Sequence, residues 1–562
     1  MRLQPNRLLW WLLALGTLAL LMAPLFMVDV PPLLDYPNHL ARQWLLAGGV
    51  RDPILSRFYT PHWAVIPNIA VDLLMIALQR FMPVYLAGKI VLGLTIIVQF
   101  AGIAAYSRVL FARLSFWPIA FGLIGYNAIL LLGFVSFALS LGLALLAAAG
   151  WVRWRENHPL ATTVGLALAA LFIFFCHALG VLFLGFLLSA REFDHVIGAR
   201  AAGENWKREL SFRTLALVAV FLPSLLFYVA LVPKQEVGNV FYYGPSIVIS
   251  LFSLAFSSYS ATLDALTFGA VILLVALCIG ANKRALPLTT FLQLAVLVPL
   301  YFACPFRLGD EGWLNVHVIY MASLILFAGI APVLSRRSAT LVSCGVAALL
   351  CARVFVVSQV WHDYRGELAA FRQVIAPVAP GSSVLTVTLP PTENPRYWRA
   401  VPRARKIAAL ELADMHLPAL LLIERHAFWP LLFNVPSQHA IKVQPRYLPL
   451  SVQQGELPRY EALTSPTKAD LSFAPYLRNW QKNFDYVLVM NAGGIANLSG
   501  IAPGKLALLT HADIAALYKV NAPETDQLFD PTTSTRSSGP PSVAPPTAVT
   551  SIKLDETPRS IR

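Results

Sequence analysis

Charge is scarce in this chain. Asp, Glu, Lys and Arg make up only 13% of its 562 residues and apolar residues 57%, whereas soluble domains carry roughly 25% charged residues. A water-soluble globule is thereby excluded, and a mean hydropathy of +0.64 agrees with a polytopic membrane protein. Cysteine is also sparse. Of the five, Cys176, Cys278, Cys344 and Cys351 lie inside apolar runs and Cys304 at the end of one; with no CxxC pair there is no disulfide framework to read. A Walker loop, a GxSxG elbow, an HExxH helix and a strand-linked GxGxxG are missing too, since Gly493-Gly494 lacks the third glycine. These absences argue against ATP-driven transport and against the common hydrolase designs.

A formal net charge of +14 invites a nucleic-acid reading. The Lys and Arg residues are scattered among spans and loops without a long basic cluster, so membrane lipids and phosphate-bearing partners fit and nucleic acid does not.

What the chain does have is long apolar runs. The first, 8–28, follows Arg2 and Arg7 like a signal sequence but is about 20 residues long without a convincing small-x-small cleavage site, so it is expected to be retained with the N-terminus in the cytoplasm. Further spans are expected near 63–82, 85–106, 116–131, 132–151, 161–189, 213–232, 263–282, 286–304, 315–334 and 339–360, giving about eleven. The pair 116–131 and 132–151 is short for two crossings of a roughly 30 Å hydrocarbon core, and one long helix with a re-entrant piece is the alternative. Positive charge at 191–213, Lys283-Arg284 and Arg336-Arg337 falls inside on this count, while Arg108, Arg113, Arg153 and Arg155 run against the rule. The expectation is a mainly α, multi-pass protein of the plasma (inner) membrane, with a transmembrane helical bundle over 1–360. No internal repeat links two halves of it, which disfavours repeat-built transporters.

From 361 the composition shifts to Pro, Arg and charged residues with short apolar runs at 384–388, 417–423 and 486–490, and with helical patterns at 403–414 and 512–519. A small α/β domain over 361–520 on the extracytoplasmic (periplasmic) side is expected. The tail, 521–562, is rich in Pro, Ser and Thr, a composition that disfavours a packed core.

The first outer loop, 29–62, holds the sharpest clue. Pro31-Pro32 ends the first helix; Asp35-Tyr36-Pro37-Asn38-His39 then opens a helical stretch closed by Gly48-Gly49. Asp35 stands where an N-cap would, and capping alone is worth about 1 kcal/mol. Yet Asp35, His39 and Arg42 share one helical face, with Leu40, Ala41, Trp44 and Ala47 on the other. The stretch reads as an amphipathic helix lying on the membrane, its acid, imidazole and guanidinium along a cleft edge suited to a phosphate-linked substrate.

A first span, an acid soon after it in a long outer loop with a surface helix, many further spans and an outer C-terminal domain together resemble the GT-C membrane glycosyltransferases, among them the protein O-mannosyl, aminoarabinose and arabinofuranosyl transferases. The resemblance covers the architecture of about 360 residues, and its sequence content is Asp35-Tyr36-Pro37-Asn38-His39. It implies sugar transfer from a polyprenyl-phosphate donor to an acceptor hydroxyl, with Asp35 as general base. The lack of a soluble inner nucleotide-sugar domain agrees with a lipid-linked donor. Many relatives carry two adjacent acids, whereas Tyr36 follows Asp35 here.

Other polar residues complete the candidate set. Asp72 forms a polar stripe with Asn68 and Gln79; it is either a substrate contact or half of a helix-helix ion pair, for example with Lys89. His177, alone in an apolar run, reads as a packing residue. Arg307 in 307–313 would hold the lipid phosphate, Asp310 or Glu311 would orient it or bind a sugar hydroxyl, and Asn315 and His317 follow at the mouth of a span. A divalent metal has ligands only if the fold gathers Asp35, His39, His62 and Asp310. Two other functions compete with transfer: a lipid or polysaccharide transporter with Asp72 and His177 as proton carriers, and a non-catalytic component of the cell envelope.

Overall fold

The computed structural model describes residues 7–233, 240–282, 285–309, 312–390, 393–407 and 411–521. It is a mainly helical bundle with a small α/β domain docked on one end. The helices are α1 (Arg7–Met22), α2 (Tyr36–Ala47), α3 (Ile69–Leu78), α4 (Val84–Phe111), α5 (Ala128–Leu131), α6 (Val135–Trp154), α7 (Pro159–Cys176), α8 (Ala178–Ala201), α9 (Trp206–Leu231), α10 (Pro245–Leu251), α11 (Ala261–Ala281), α12 (Leu288–Ala303), α13 (Leu314–Ala328) and α14 (Arg336–Ile375).

Why these runs are membrane helices shows in their burial. On α1 the buried residues Trp10, Ala14, Thr17 and Leu21 form one stripe at helical spacing, while Leu8, Trp11, Leu12 and Leu15 are exposed. An apolar helix that buries one apolar stripe and leaves another open has lipid as its second solvent. Leu168, Leu215, Leu226, Leu273 and Leu341 are exposed in the same way on later helices. Among the described residues, seven helices are long and apolar enough to cross a membrane by length and composition. At the centre, α4 and α6 touch backbone to backbone. A Cβ on Gly142 would lie 2.7 Å from the backbone nitrogen of Gln99, so only glycine permits this approach.

The connectivity differs from expectation in two places. The expected span 63–82 contains only the 10-residue α3, entered through Asn68 in the left-handed region. At 1.5 Å per residue it covers about 15 Å and does not cross. The expected span 161–189, in contrast, is two antiparallel passes. It breaks at His177, whose backbone is extended, and α8 returns until His195 stands 3.9 Å from Glu156, just before α7. The segment 115–133 also passes through the bundle, but as a 3₁₀ stretch, Trp117–Ile124, followed by the single turn of α5. Its ends are tied beside α1: Trp10 donates to the Ser115 carbonyl at 2.8 Å and the Tyr126 hydroxyl to that of Leu21 at 2.7 Å. This irregular backbone is wholly buried between residues 120 and 133, the condition under which non-helical chain survives at membrane depth.

The last helix, α14, has 40 residues, about 60 Å against a hydrocarbon core of roughly 30 Å. It therefore runs out of the bundle into the α/β domain without the break expected at 361. In that domain Val384–Thr388 lies parallel to Tyr486–Met490, which pairs antiparallel with Ala515–Val520, and this in turn with Leu506–His511. Of the three short apolar runs, 384–388 and 486–490 are strands; 417–423 is a helical turn. The helical pattern at 512–519 is overridden, because Ala515–Tyr518 are buried inside the sheet. In 403–414 the described residues form a 3₁₀ turn and a short strand pair instead of a helix.

The domain and the first outer loop form one body. Tyr59–Pro61 pairs antiparallel with Ile441–Val443. The Tyr59 hydroxyl donates to the Trp429 carbonyl at 3.1 Å and accepts from the Trp429 N–H at 3.2 Å.

Candidate active site

Asp35 enters its position through the irregular pass. Its N–H donates to the Leu132 carbonyl at 3.2 Å and that of Leu34 to Leu131 at 2.9 Å. Gly133, at φ +95°, allows this contact, since a Cβ there would lie 2.9 Å from the Asp35 nitrogen. The Asp35 backbone then starts α2, but its side chain makes no capping hydrogen bond. The capping explanation thus fails for the carboxylate. That side chain retains 16% exposure and stands 3.4 Å from Nε2 of His416.

The second helix is not a membrane-surface helix with one wet face. Leu40, Ala41, Leu45 and Leu46 are buried, and so are Asn38, Arg42 and Gln43. The polar face that sequence assigns to a cleft edge is covered by the α/β domain. Asn38 donates to the Leu431 carbonyl at 2.9 Å and accepts from the Phe433 N–H at 2.9 Å. Around the Phe433 ring stand three imidazoles: His416 at 4.9 Å, His39 at 5.6 Å and His439 at 5.7 Å between ring centroids. All three are neutral at neutral pH. Burial pushes His416 down to about 3. Burial, then Arg42 and His416, holds His39 well below the usual imidazole range, and burial, then Arg42 and His39, does the same for His439.

Arg42 and Asp72 meet: Asp72 is half of a helix-helix ion pair, one of the two readings given for it, but with another partner. Arg42 is not lined along an open edge, and the partner of Asp72 is not Lys89. Arg42 donates through Nη2 to Asp72 Oδ1 at 2.9 Å and through Nε to Oδ2 at 3.3 Å. Gln43 adds a third bond to Oδ1 at 3.1 Å. With both side chains at most 3% exposed, the charges cancel in place, the arrangement a buried ion pair requires. Arg42 also donates to His39 Nδ1 at 2.9 Å. The structure therefore gathers Asp35, His39, Arg42 and Asp72 at one end of the bundle, under the domain.

The remaining candidates lie on other elements. Arg307 is exposed in the short strand Arg307–Leu308, paired with Val240–Phe241. His317 is buried in the first turn of α13, its Nδ1 2.7 Å from the Trp313 carbonyl, and stacks on His177 at 6.2 Å. Its ring is 4.7 Å from that of Phe134, the residue after Gly133, so it lies behind the Asp35 contact. No described contact joins Arg307 to Asp35. Asp310 and Glu311 lie outside the described residues. Among the described residues no three His, Cys, Asp or Glu side chains gather as a metal site. Tyr36, which follows Asp35, packs against Gly88 of α4.

No protein-family model matches the chain, and no curated protein does. Solved structures do match it. Arabinofuranosyltransferase AftD from Mycobacteria is 15% identical at a TM-score of 0.45, over 93% of this chain and 41% of AftD; the chain thus spans less than half of that protein. ArnT from Cupriavidus metallidurans in the apo state is 10% identical at a TM-score of 0.44, over 91% of this chain and 97% of ArnT. ArnT bound to undecaprenyl phosphate gives 11% and 0.43 over 91% and 98%.

Sequence reading missed His416, His439 and the structural part of Asn38. His416 and Asn38 are separated by 378 residues, and no local motif announces such a pair.

Proposed function

We propose that the chain is an integral-membrane glycosyltransferase that moves a sugar from a polyprenyl-phosphate donor to an acceptor hydroxyl on the extracytoplasmic side, with Asp35 as general base. The observation that carries this reading is the Asp35 carboxylate itself. It is released from capping, partly open, and faces a neutral imidazole at the seam between bundle and domain. In the reaction the acceptor O–H proton goes to Asp35 and the oxygen bonds to the anomeric carbon. The bond from that carbon to the phosphate oxygen breaks, its electron pair leaving with polyprenyl phosphate, and the anomeric configuration inverts. His39, Arg42 and Asp72 shape the acceptor side, and Arg307, Asp310, Glu311 and His317 the donor side. The N-terminus is then cytoplasmic and the α/β domain periplasmic. In a proton-coupled transporter Asp72 would have to exchange protons, whereas here Arg42 and Gln43 occupy it.

The test is transfer by purified protein in lipid, supplied with labelled polyprenyl-phosphate sugars. Asp35→Asn keeps the fold and lowers transfer about 10²- to 10⁴-fold, the range for a lost general base. Full transfer by Asp35→Asn overturns the assignment.

A further inference from the structure

One hydrogen-bond chain at the seam has a direction. The Phe433 N–H can only donate, so the Asn38 atom 2.9 Å from it is the amide oxygen. The amide nitrogen is thereby fixed on the other side, where it donates to the Leu431 carbonyl at 2.9 Å and to His416 Nδ1 at 3.3 Å. Nδ1 of His416 accepts, and so carries no proton. In a neutral ring the single proton must then be on Nε2, the atom 3.4 Å from Asp35 Oδ1. We infer that His416 is the positioning residue of Asp35: Asn38 locks its tautomer so that an uncharged N–H is aimed at the carboxylate.

The charged form of the ring would suit a base less well. An imidazolium beside Asp35 would favour the carboxylate so strongly that proton capture would suffer, whereas a neutral donor orients the oxygen at smaller electrostatic cost. The neighbours enforce neutrality. Arg42, an obligate donor, faces His39 Nδ1 at 2.9 Å, and the Val435 N–H faces His439 Nδ1 at 3.1 Å. Both rings are thus held in the same tautomer as His416. Among the described charged groups, the Arg42–Asp72 pair beside these rings cancels internally, and Asp52–His426 and Arg372–Glu424 also join bundle and loop to the domain. Asn38 sits one turn after Asp35 on α2 and His416 comes from the domain, so the aim of the base depends on the two parts being docked.

This inference rests on Asp35 being the base, and two measurements separate its failure from failure of that reading. The first needs no substrate: nitrogen NMR of histidine-labelled protein in nanodiscs, with the His416 signal identified by its loss in His416→Gln. A neutral Nε2–H ring at pH 7 is expected; an Nδ1–H ring or an imidazolium overturns the inference. The second is kinetic. His416→Leu lowers kcat about 100-fold with KM unchanged, while His416→Gln, which still offers an N–H, stays within about 10-fold of the parent. Asn38→Asp presents an acceptor to Nδ1, which moves the proton there or charges the ring; kcat falls about 100-fold and the acid limb of the pH–rate profile shifts. If Asp35→Asn abolishes transfer while His416→Leu and Asn38→Asp keep kcat and pH profile, the base stands and the positioning role fails. If Asp35→Asn transfers normally, the base reading fails first.

Discussion

The two ends of the bundle handle polar groups in opposite ways. At the end away from the domain, charges meet charges near solvent: Arg213 bonds Glu156 at 3.1 Å, Glu192 at 2.8 Å and Glu209 at 3.0 Å, and Glu156 is 58% exposed. At the domain end the Arg42–Asp72 pair beside Asp35 is sealed, and around it stand neutral rings with fixed donors and acceptors. A network of mobile charges tolerates rearrangement. One of buried directional bonds holds a single geometry, which is what positioning a base demands.

That contrast can be broken in graded steps. Asp72→Ala strands the Arg42 charge in the interior and should cost about 3–5 kcal/mol, read as a large drop in the thermal unfolding midpoint. Replacing both partners with apolar residues of similar size should recover most of it.

Acidification comes next and strikes the same end. His416, His39 and His439 bind protons less readily when folded than their ordinary value of 6.5, so below that pH the unfolded chain takes up more protons than the folded one. Stability is complete above about pH 6.5 and is lost progressively toward pH 3. A melting series over that window should flatten in His416→Gln; an unchanged slope refutes a buried neutral His416.

At the opposite end the effects shrink. Glu192→Gln can keep the Trp151 bond of 2.6 Å only by turning its NH2 toward Arg213, which loses that charged bond and costs about 1.5–3 kcal/mol. Glu209→Ala removes a half-exposed i,i+4 partner and should cost about 0.3–0.5 kcal/mol. A Glu209→Ala effect as large as that of Asp72→Ala would erase the distinction between the ends.

The same distinction governs what the sequence discloses. Apolar runs report lipid contact directly, and the strands 384–388 and 486–490 show as short apolar runs. Pass boundaries are less visible. The 29 residues of 161–189 exceed the roughly 20 needed for one crossing, but the break at His177 is marked by neither Pro nor Gly at that position. The polar face of α2 is legible as a face and misread as exposed, because its cover comes from residues 416–439. Asp35 is legible because its surroundings are local; its partner His416 is not, because a contact made across most of the chain leaves no periodicity behind.

The strand pair joining Tyr59–Pro61 to Ile441–Val443 also sets a schedule. The bundle helices can enter the membrane one after another as the chain is made, and Asp35 is among the first residues delivered. Its imidazole and the strand that docks the loop come some 380 residues later, which at about 5–20 residues per second is a delay of roughly 20–75 seconds. For that interval the nascent protein carries its carboxylate without the imidazole that aims it, so synthesis of the α/β domain acts as the arming step.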